Sequence, residues 1–256
     1  MLRNGWLSGL RKPTCALSLC FFAASASAAL APSYELYSEI GRDAGPIEAS
    51  ATDNSLVAYD SPSYSATAQS NFGINRVFAR AIQATGDIQA TSVWTDRFTV
   101  GATSEIRVSA NLTGTNVGGT ETEFGGGEYD LLVYRDYKSP AELLFLLDDG
   151  GQQGLLHTNF DASGVYDRVL STSFNAVAGE SFYIAGILGV SAYQNQTVDF
   201  SRSAQFGITA LNGASIVSAS GTVYPNAVVP LPSTLALVLP ALALLGWVAR
   251  RPRGAA

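Results

Sequence analysis

Polar and apolar side chains alternate along Glu105-Ile-Arg-Val-Ser-Ala-Asn-Leu112, and this alternation is the clearest indication of the fold class. A period of two buries one face of a β-strand, because successive side chains of a strand point to opposite sides. The same period recurs in two later runs, Phe182, Ile184, Gly186 and Leu188, and Ala204, Phe206, Ile208 and Ala210. The pattern therefore predicts several half-buried strands.

Turn-forming residues separate these strands, as at Gly101, Gly125-Gly126-Gly127 and Asn212-Gly213. Short strands between such turns predict an all-β fold, an antiparallel β-sandwich or jelly-roll-like domain over residues 29–226. Asn212-Gly213 is expected to form a hairpin, because a type I′ turn needs positive φ at both central residues. Asn71–Ala84 fits either a helix or a strand, and Ala44–Ser70 reads as a loop with one edge strand.

Residues 1–28 have the three parts of a secretory signal peptide. The basic residues of its first part are Arg3, Arg11 and Lys12. An apolar core follows at Cys15–Ala24, and Ala26 and Ala28 provide the small residues of a cleavage site. Both cysteines of the chain lie before this site, so we expect an exported domain without disulfides.

A second apolar segment, Leu231–Ala249, contains 19 residues and no charge. As a helix it would be about 28 Å long, which is close to the roughly 30 Å of a bilayer core. The basic residues Arg250, Arg251 and Arg253 follow it directly. By the positive-inside rule this pattern predicts a transmembrane helix with a cytoplasmic tail, and the plain membrane anchor is one interpretation.

The order of motif, apolar helix and arginine cluster resembles a PEP-CTERM sorting signal. The motif is Val229-Pro230-Leu231-Pro232-Ser233, a Val-Pro-Leu-Pro variant of the family's usual Pro-Glu-Pro, and the signal as a whole covers residues 227–256. The resemblance implies processing by signal peptidase and by an exosortase-like transpeptidase of a Gram-negative bacterium. It also implies a transient stay in the inner membrane, followed by the cell surface or the extracellular matrix.

The domain between the two signals more loosely resembles those of other PEP-CTERM proteins. The residues that carry this likeness are Ser92–Asp96, Val198–Phe200, Ala204–Ile208 and Ser218–Gly221. The likeness implies a β-sandwich surface domain without a known catalytic activity. It also implies a link to exopolysaccharide or biofilm.

The exported part of the chain is acidic. Residues 29–229 contain nine of the Lys and Arg residues and all 21 Asp and Glu residues, a net charge of −12. A nucleic-acid partner is not expected, because such binding depends on basic patches that neutralise phosphates.

Few residue types are available for catalysis. His157 is the only histidine, and it is interpreted as an ordinary strand-end or turn residue rather than as the base of a triad. Zinc is not expected, since zinc sites usually take several His or Cys ligands. The carboxylate pairs that a glycan-active enzyme could use are Glu121/Glu123, Glu128/Asp130 and Asp148-Asp149.

One segment has the oxygen spacing of a calcium loop. Its candidate ligands are Asn159, Asp161, Ser163, the carbonyl of Val165, and Asp167, with Gly164 at the turn. The bidentate Glu that usually ends such a loop is replaced by Leu170, and a simple turn explains the same residues. Calcium is the one cofactor that the sequence suggests.

Taken together, the sequence predicts a non-enzymatic, exported surface or matrix protein. The first alternative is a carbohydrate-binding module that stacks sugars on Trp94 or on tyrosines such as Tyr59, Tyr64 and Tyr193. Trp94 and Phe98 share one strand face, however, and that spacing favours core packing. The second alternative is a carboxylate- or calcium-dependent enzyme acting on glycans.

Overall fold

A computed structural model describes residues 33–42, 47–82, 86–118, 125–148 and 155–228. The described residues form thirteen strands and one helix. In chain order these are β1 (Tyr34–Arg42), β2 (Ile47–Ala51), β3 (Val57–Asp60), β4 (Tyr64–Asn71), β5 (Ile74–Ala81), β6 (Asp87–Val100), β7 (Ser104–Val117), β8 (Gly126–Tyr134), α1 (Pro140–Asp148), β9 (Leu156–Asn159), β10 (Gly164–Ala176), β11 (Ser181–Tyr193), β12 (Thr197–Ala210) and β13 (Ile216–Ser218).

The strands form two antiparallel sheets. The seven-stranded sheet has the order β2-β1-β6-β11-β8-β9, and β13 pairs with one end of β6. The six-stranded sheet has the order β10-β7-β12-β5-β4-β3. Side chains from both sheets form one buried cluster between them, so the all-β sandwich prediction is confirmed.

The predicted apolar faces are the faces that meet in this core. Ile106, Val108, Ala110 and Leu112 of β7 are buried there, as are Phe182, Ile184 and Leu188 of β11. Trp94 and Phe98 of β6 are also completely buried. The period of two therefore identified the residues of these long strands that face the core, because successive side chains of a strand point to opposite sides.

A polar contact holds Trp94 inside the core. The indole Nε1 donates to Oδ1 of Asn75 at 2.9 Å, and Asn75 is itself 0% exposed. The Asn75 Nδ2 donates to the carbonyl oxygens of Ser92 and Gly186 at 2.8 and 3.1 Å. Gly186 lies against the indole, and a Cβ there would come within 2.4 Å of Nε1.

Two local predictions, for Asn212-Gly213 and for Ala44–Ser70, differ from the structure, and the strand alternative for Asn71–Ala84 is confirmed. Asn212-Gly213 does not form a hairpin, because β12 belongs to the six-stranded sheet while β13 pairs with β6 of the other sheet. Only Gly213 of that pair has positive φ. Asn71–Ala84 contains the strand β5, and Ala44–Ser70 contains three strands instead of one.

Helix α1 was not predicted, although its start is visible in the sequence. The Ser139 hydroxyl accepts from the Glu142 amide at 3.3 Å, and a Glu142 carboxylate oxygen accepts from the Ser139 amide at 2.7 Å. This reciprocal pair is a capping box, and Pro140 occupies the first helical position, where proline is favoured. The helix contributes to a small apolar cluster on the outer face of the seven-stranded sheet, composed of Val93, Leu132, Leu143, Ala185 and Ile187.

The segment of residues 219–228, called the C-terminal strap below, packs against β6, β12 and β7. It begins after β13, where the Ser220 amide and hydroxyl donate to the buried Asp96 carboxylate at 3.1 and 2.5 Å. The Tyr224 hydroxyl donates to the same carboxylate at 2.8 Å. At the far end, the Val228 amide donates to the Ser109 hydroxyl at 2.8 Å.

The predicted signal peptide (1–28, with Ala26 and Ala28) lies outside the described residues, as do the motif at 229–233, the apolar segment 231–249 and Arg250, Arg251 and Arg253. Within the described ranges, no helix has the length and apolar character that crossing a bilayer requires.

Candidate functional site

Two carboxylates and the single imidazole of the chain meet on the outer face of the seven-stranded sheet. In β8, Tyr129 and Leu131 point into the core, so Glu128 and Asp130 point outward. Strand β9 pairs with β8 in a register that places His157 opposite Asp130. Two neighbouring strands therefore present all three side chains on one face.

The distances in this cluster are short. His157 Nδ1 lies 3.0 Å from Asp130 Oδ1, and one ligand atom from each of Glu128, Asp130 and His157 lies within 4.8 Å of the others. The side chain of Asp130 is 2% exposed, whereas that of His157 is 33% exposed. Asp130 therefore forms the buried side of the cluster, and His157 forms the side that is open to solvent.

The surroundings favour the neutral form of Glu128. Burial, together with the neighbouring charges of Asp130 and Asp161, raises the pKa of its carboxyl to about 7, and His157 opposes the shift. Burial also raises the pKa of Asp161, again opposed by His157. Such shifts occur where carboxyl groups lie close together in a partly dry environment.

The backbone around Gly126 and Gly127 holds Asp161 next to this cluster. The Phe160 amide donates to the Gly127 carbonyl at 2.7 Å, which continues the β8–β9 pairing by one step. Gly126 has a φ of 146°, and a Cβ there would come within 3.0 Å of both Cα and Oδ1 of Asp161. A side chain at 126 would crowd Asp161 and would be strained at this positive φ, so glycine is favoured at this position.

The other side of the connection from β9 to β10 is fixed by an amide network. The Asn116 Nδ2 donates to the Phe160 carbonyl at 2.9 Å. The Gln196 Nε2 in turn donates to Asn116 Oδ1 at 2.8 Å. These side chains are buried, so the connection starts from a rigid support.

The five candidate calcium ligands are spread over two sheets. Asn159 ends β9, Asp161 and Ser163 lie in the connection, and Val165 and Asp167 lie in β10 opposite Thr115 and Thr113 of β7. The structure brings Asp161 close to His157 and Glu128. Calcium binding by the five residues stays a prediction.

The three residues of the cluster can be identified in the sequence, but their proximity in space cannot be predicted from it. Glu128 and Asp130 were recognised as a pair, and His157 as a lone imidazole, yet α1 separates them along the chain. The available signal was two carboxylates at positions i and i+2 of a strand, which places them on one face. Of the other acidic pairs, Asp148 ends α1, while Glu121, Glu123 and Asp149 lie outside the described residues.

The aromatic residues considered for sugar stacking are engaged within the protein. Trp94 is buried in the core, which confirms the packing interpretation. Tyr59 and Tyr64 both lie about the guanidinium of Arg42, whose Cζ is 5.7 Å from each ring centroid. Tyr193 is half-buried at the end of β11.

The arrangement on β8 and β9 offers two oxygen donors and one nitrogen donor to a cation, and it is the site that the chemistry of the described residues supports best. Comparison of the chain with models of known protein families and with curated proteins gave no significant match.

Proposed function

We propose that this chain is an exported, non-enzymatic protein of the cell surface or extracellular matrix, sorted by an exosortase-like system and linked to exopolysaccharide or biofilm. The observation that supports the proposal is the position of the C-terminal strap. Its contacts with the sandwich continue to Val228, and the sorting motif of the sequence begins at residue 229.

A sorting enzyme must cut between the folded cargo and the membrane segment without damaging the cargo. Cleavage within residues 229–232 would keep every strap contact described above, including the Ala227 amide donating to the Thr209 hydroxyl at 2.9 Å. Cleavage before Ser220 would remove the partners of the Asp96 carboxylate and expose the core. All strap contacts described above therefore lie on the N-terminal side of the motif, and cleavage at the motif is compatible with them.

The composition fits display outside the cell. The chain's two cysteines, Cys15 and Cys20, lie in the predicted signal peptide, so the exported domain would be stabilised by its core rather than by disulfides. The excess of Asp and Glu keeps the surface negative and soluble. The jelly-roll-like topology, the signal peptide and the C-terminal membrane helix belong to this proposal.

The test is fractionation of an exosortase-containing Gram-negative bacterium that expresses the chain, with intact mass measured for the recovered protein. We expect a mature start at Ala29, an end near Pro230–Pro232, and recovery from the surface or the medium. Changing both Pro230 and Pro232 to Ala should leave the protein in the inner membrane. The matched control, Pro62→Ala in an exposed bend, should be processed normally.

Recovery of the folded chain from the cytosol with both termini present would overturn the proposal. So would equal processing of the double-proline variant and the control.

A further inference from the structure

We propose that Glu128, Asp130 and His157 form a binding site for a divalent transition-metal ion, with Zn²⁺ as the probe. The inference rests on the geometry of β8 and β9 and is independent of where the protein is sorted.

The spacing of the three donor atoms is close to that of ligands around one metal ion. Zn²⁺ binds nitrogen and oxygen ligands at about 2.0–2.2 Å, so neighbouring ligands of one ion lie roughly 3–3.5 Å apart. His157 Nδ1 and Asp130 Oδ1 lie 3.0 Å apart, and no pair of the three donor atoms exceeds 4.8 Å. Closing the remaining gap to about 3–3.5 Å would require a rotation of the Glu128 side chain about its staggered torsions.

The strands β8 and β9 already position the three donors on one face of the sheet. Glu128 and Asp130 share one face of β8, and the paired strand β9 holds His157 opposite Asp130. Sites built on strands lose less conformational freedom on binding than sites built on loops, and this increases affinity. The partial exposure of His157 leaves a path for the ion and room for water as a fourth ligand.

The negative charge of the neighbouring carboxylates favours a bound cation. Glu128, Asp130 and the adjacent Asp161 put three carboxyl groups around one imidazole. Asp130 is almost completely buried, and a buried carboxylate is stabilised by a cation next to it. A divalent ion at this position would offset the repulsion among the three groups.

The donor set also selects the kind of ion. Ca²⁺ and Mg²⁺ prefer oxygen ligands only, whereas imidazole nitrogen together with carboxylate oxygen suits Zn²⁺ and its transition-metal neighbours. The site therefore differs from the calcium loop predicted from the sequence, with which it shares none of its three ligands. The competing explanation is an Asp130–His157 pair that only stabilises the β8–β9 contact.

The experiment uses the full chain without a histidine tag, with Cys15 and Cys20 changed to Ser so that no thiol competes for zinc. Zn²⁺ is titrated by calorimetry, and the imidazole nitrogens are followed by ¹⁵N NMR. Because His157 is the only histidine, its signals need no assignment. We expect one Zn²⁺ per chain and a large shift of one imidazole nitrogen.

The variants Glu128→Gln and His157→Gln should each weaken Zn²⁺ binding by about 10-fold or more, since changes even outside the ligand shell cost that much. Asp167→Asn, an exposed carboxylate on β10, is the matched control and should bind like the parent. Ca²⁺ should bind more weakly than Zn²⁺ and leave the imidazole signals in place.

Absence of saturable Zn²⁺ binding at about 1 mM, the weak end of specific affinity, would overturn the proposal. Equal binding by Glu128→Gln and the parent, or zinc bound with unchanged imidazole signals, would do the same. The NMR measurement on the parent decides the question even if the His157 variant fails to fold.

Discussion

Replacement of Tyr224 is expected to loosen the C-terminal strap. The ring of Tyr224 lies 5.1 Å from Phe98, 5.4 Å from Phe206 and 6.1 Å from Trp94, measured between centroids. It also covers Gly73, where a Cβ would come within 2.7 Å of the ring. Tyr224 therefore joins the strap to the core of both sheets.

The two substitutions at this position should differ in size. Tyr224→Phe removes only the hydrogen bond to Asp96, which corresponds to about 1–2 kcal/mol of unfolding free energy. Tyr224→Ala also removes the aromatic packing, and because the side chain is half-buried we expect about 3 kcal/mol. For a domain of this size, that loss lowers Tm by about 6–12 °C.

The assay combines thermal unfolding, followed by near-UV circular dichroism, with amide hydrogen exchange. The Ile208 amide donates to the Pro225 carbonyl at 2.9 Å, so its exchange reports detachment of the strap. Val223→Ala is the control, because Val223 is 94% exposed and its truncation should change stability by less than about 0.5 kcal/mol. Equal Tm values and equal Ile208 protection in Tyr224→Ala and Val223→Ala would show that Tyr224 does not hold the strap to the core.

Three further predictions concern the core and its buried carboxylate. Burial raises the pKa of Asp96 above its ordinary value of 3.8, so the stability that its protonation contributes is fully present below that pH and is lost as pH rises through the raised pKa. Urea unfolding between about pH 3 and 7 should show this decline, and Asp96→Asn should make the decline smaller, while Glu128 and Asp161, whose pKa values are also raised, account for the remainder. Asn75→Ala removes the side-chain partner of the Trp94 indole N–H and of two carbonyls. We expect the free energy of unfolding, measured in denaturant, to fall by about 2–4 kcal/mol, and a fall below about 1 kcal/mol would contradict the assigned network. Gly186→Ala should lower the free energy of unfolding by about 1–3 kcal/mol, because the new Cβ clashes with the indole of Trp94. Gly164→Ala is the control, because a Cβ there meets open space. Equal Tm values for the two variants would refute this difference.

Local sequence patterns were sufficient to predict which face of a strand points into the core. The alternation in Glu105–Leu112 assigned the inner side of β7, and the same-face spacing of Trp94 and Phe98 assigned both to the core. The capping box at Ser139 and Glu142 was equally readable, although the helix was not predicted. Each of these signals spans only a few residues, because pleating and capping are determined by near neighbours along the chain.

The pairing of strands could not be predicted in the same way. Asn212-Gly213 has the composition of a hairpin turn, yet the chain uses it to pass from one sheet to the other. The meeting of His157 with Asp130 depends on the β8–β9 register across α1, and the strap depends on Tyr224 reaching an Asp96 that lies 128 residues away in sequence. Burying both sheets around one core selects these long-range contacts. Local alternation therefore sets which side of each strand is apolar, whereas the packing of the two sheets sets which strands and which polar groups become neighbours.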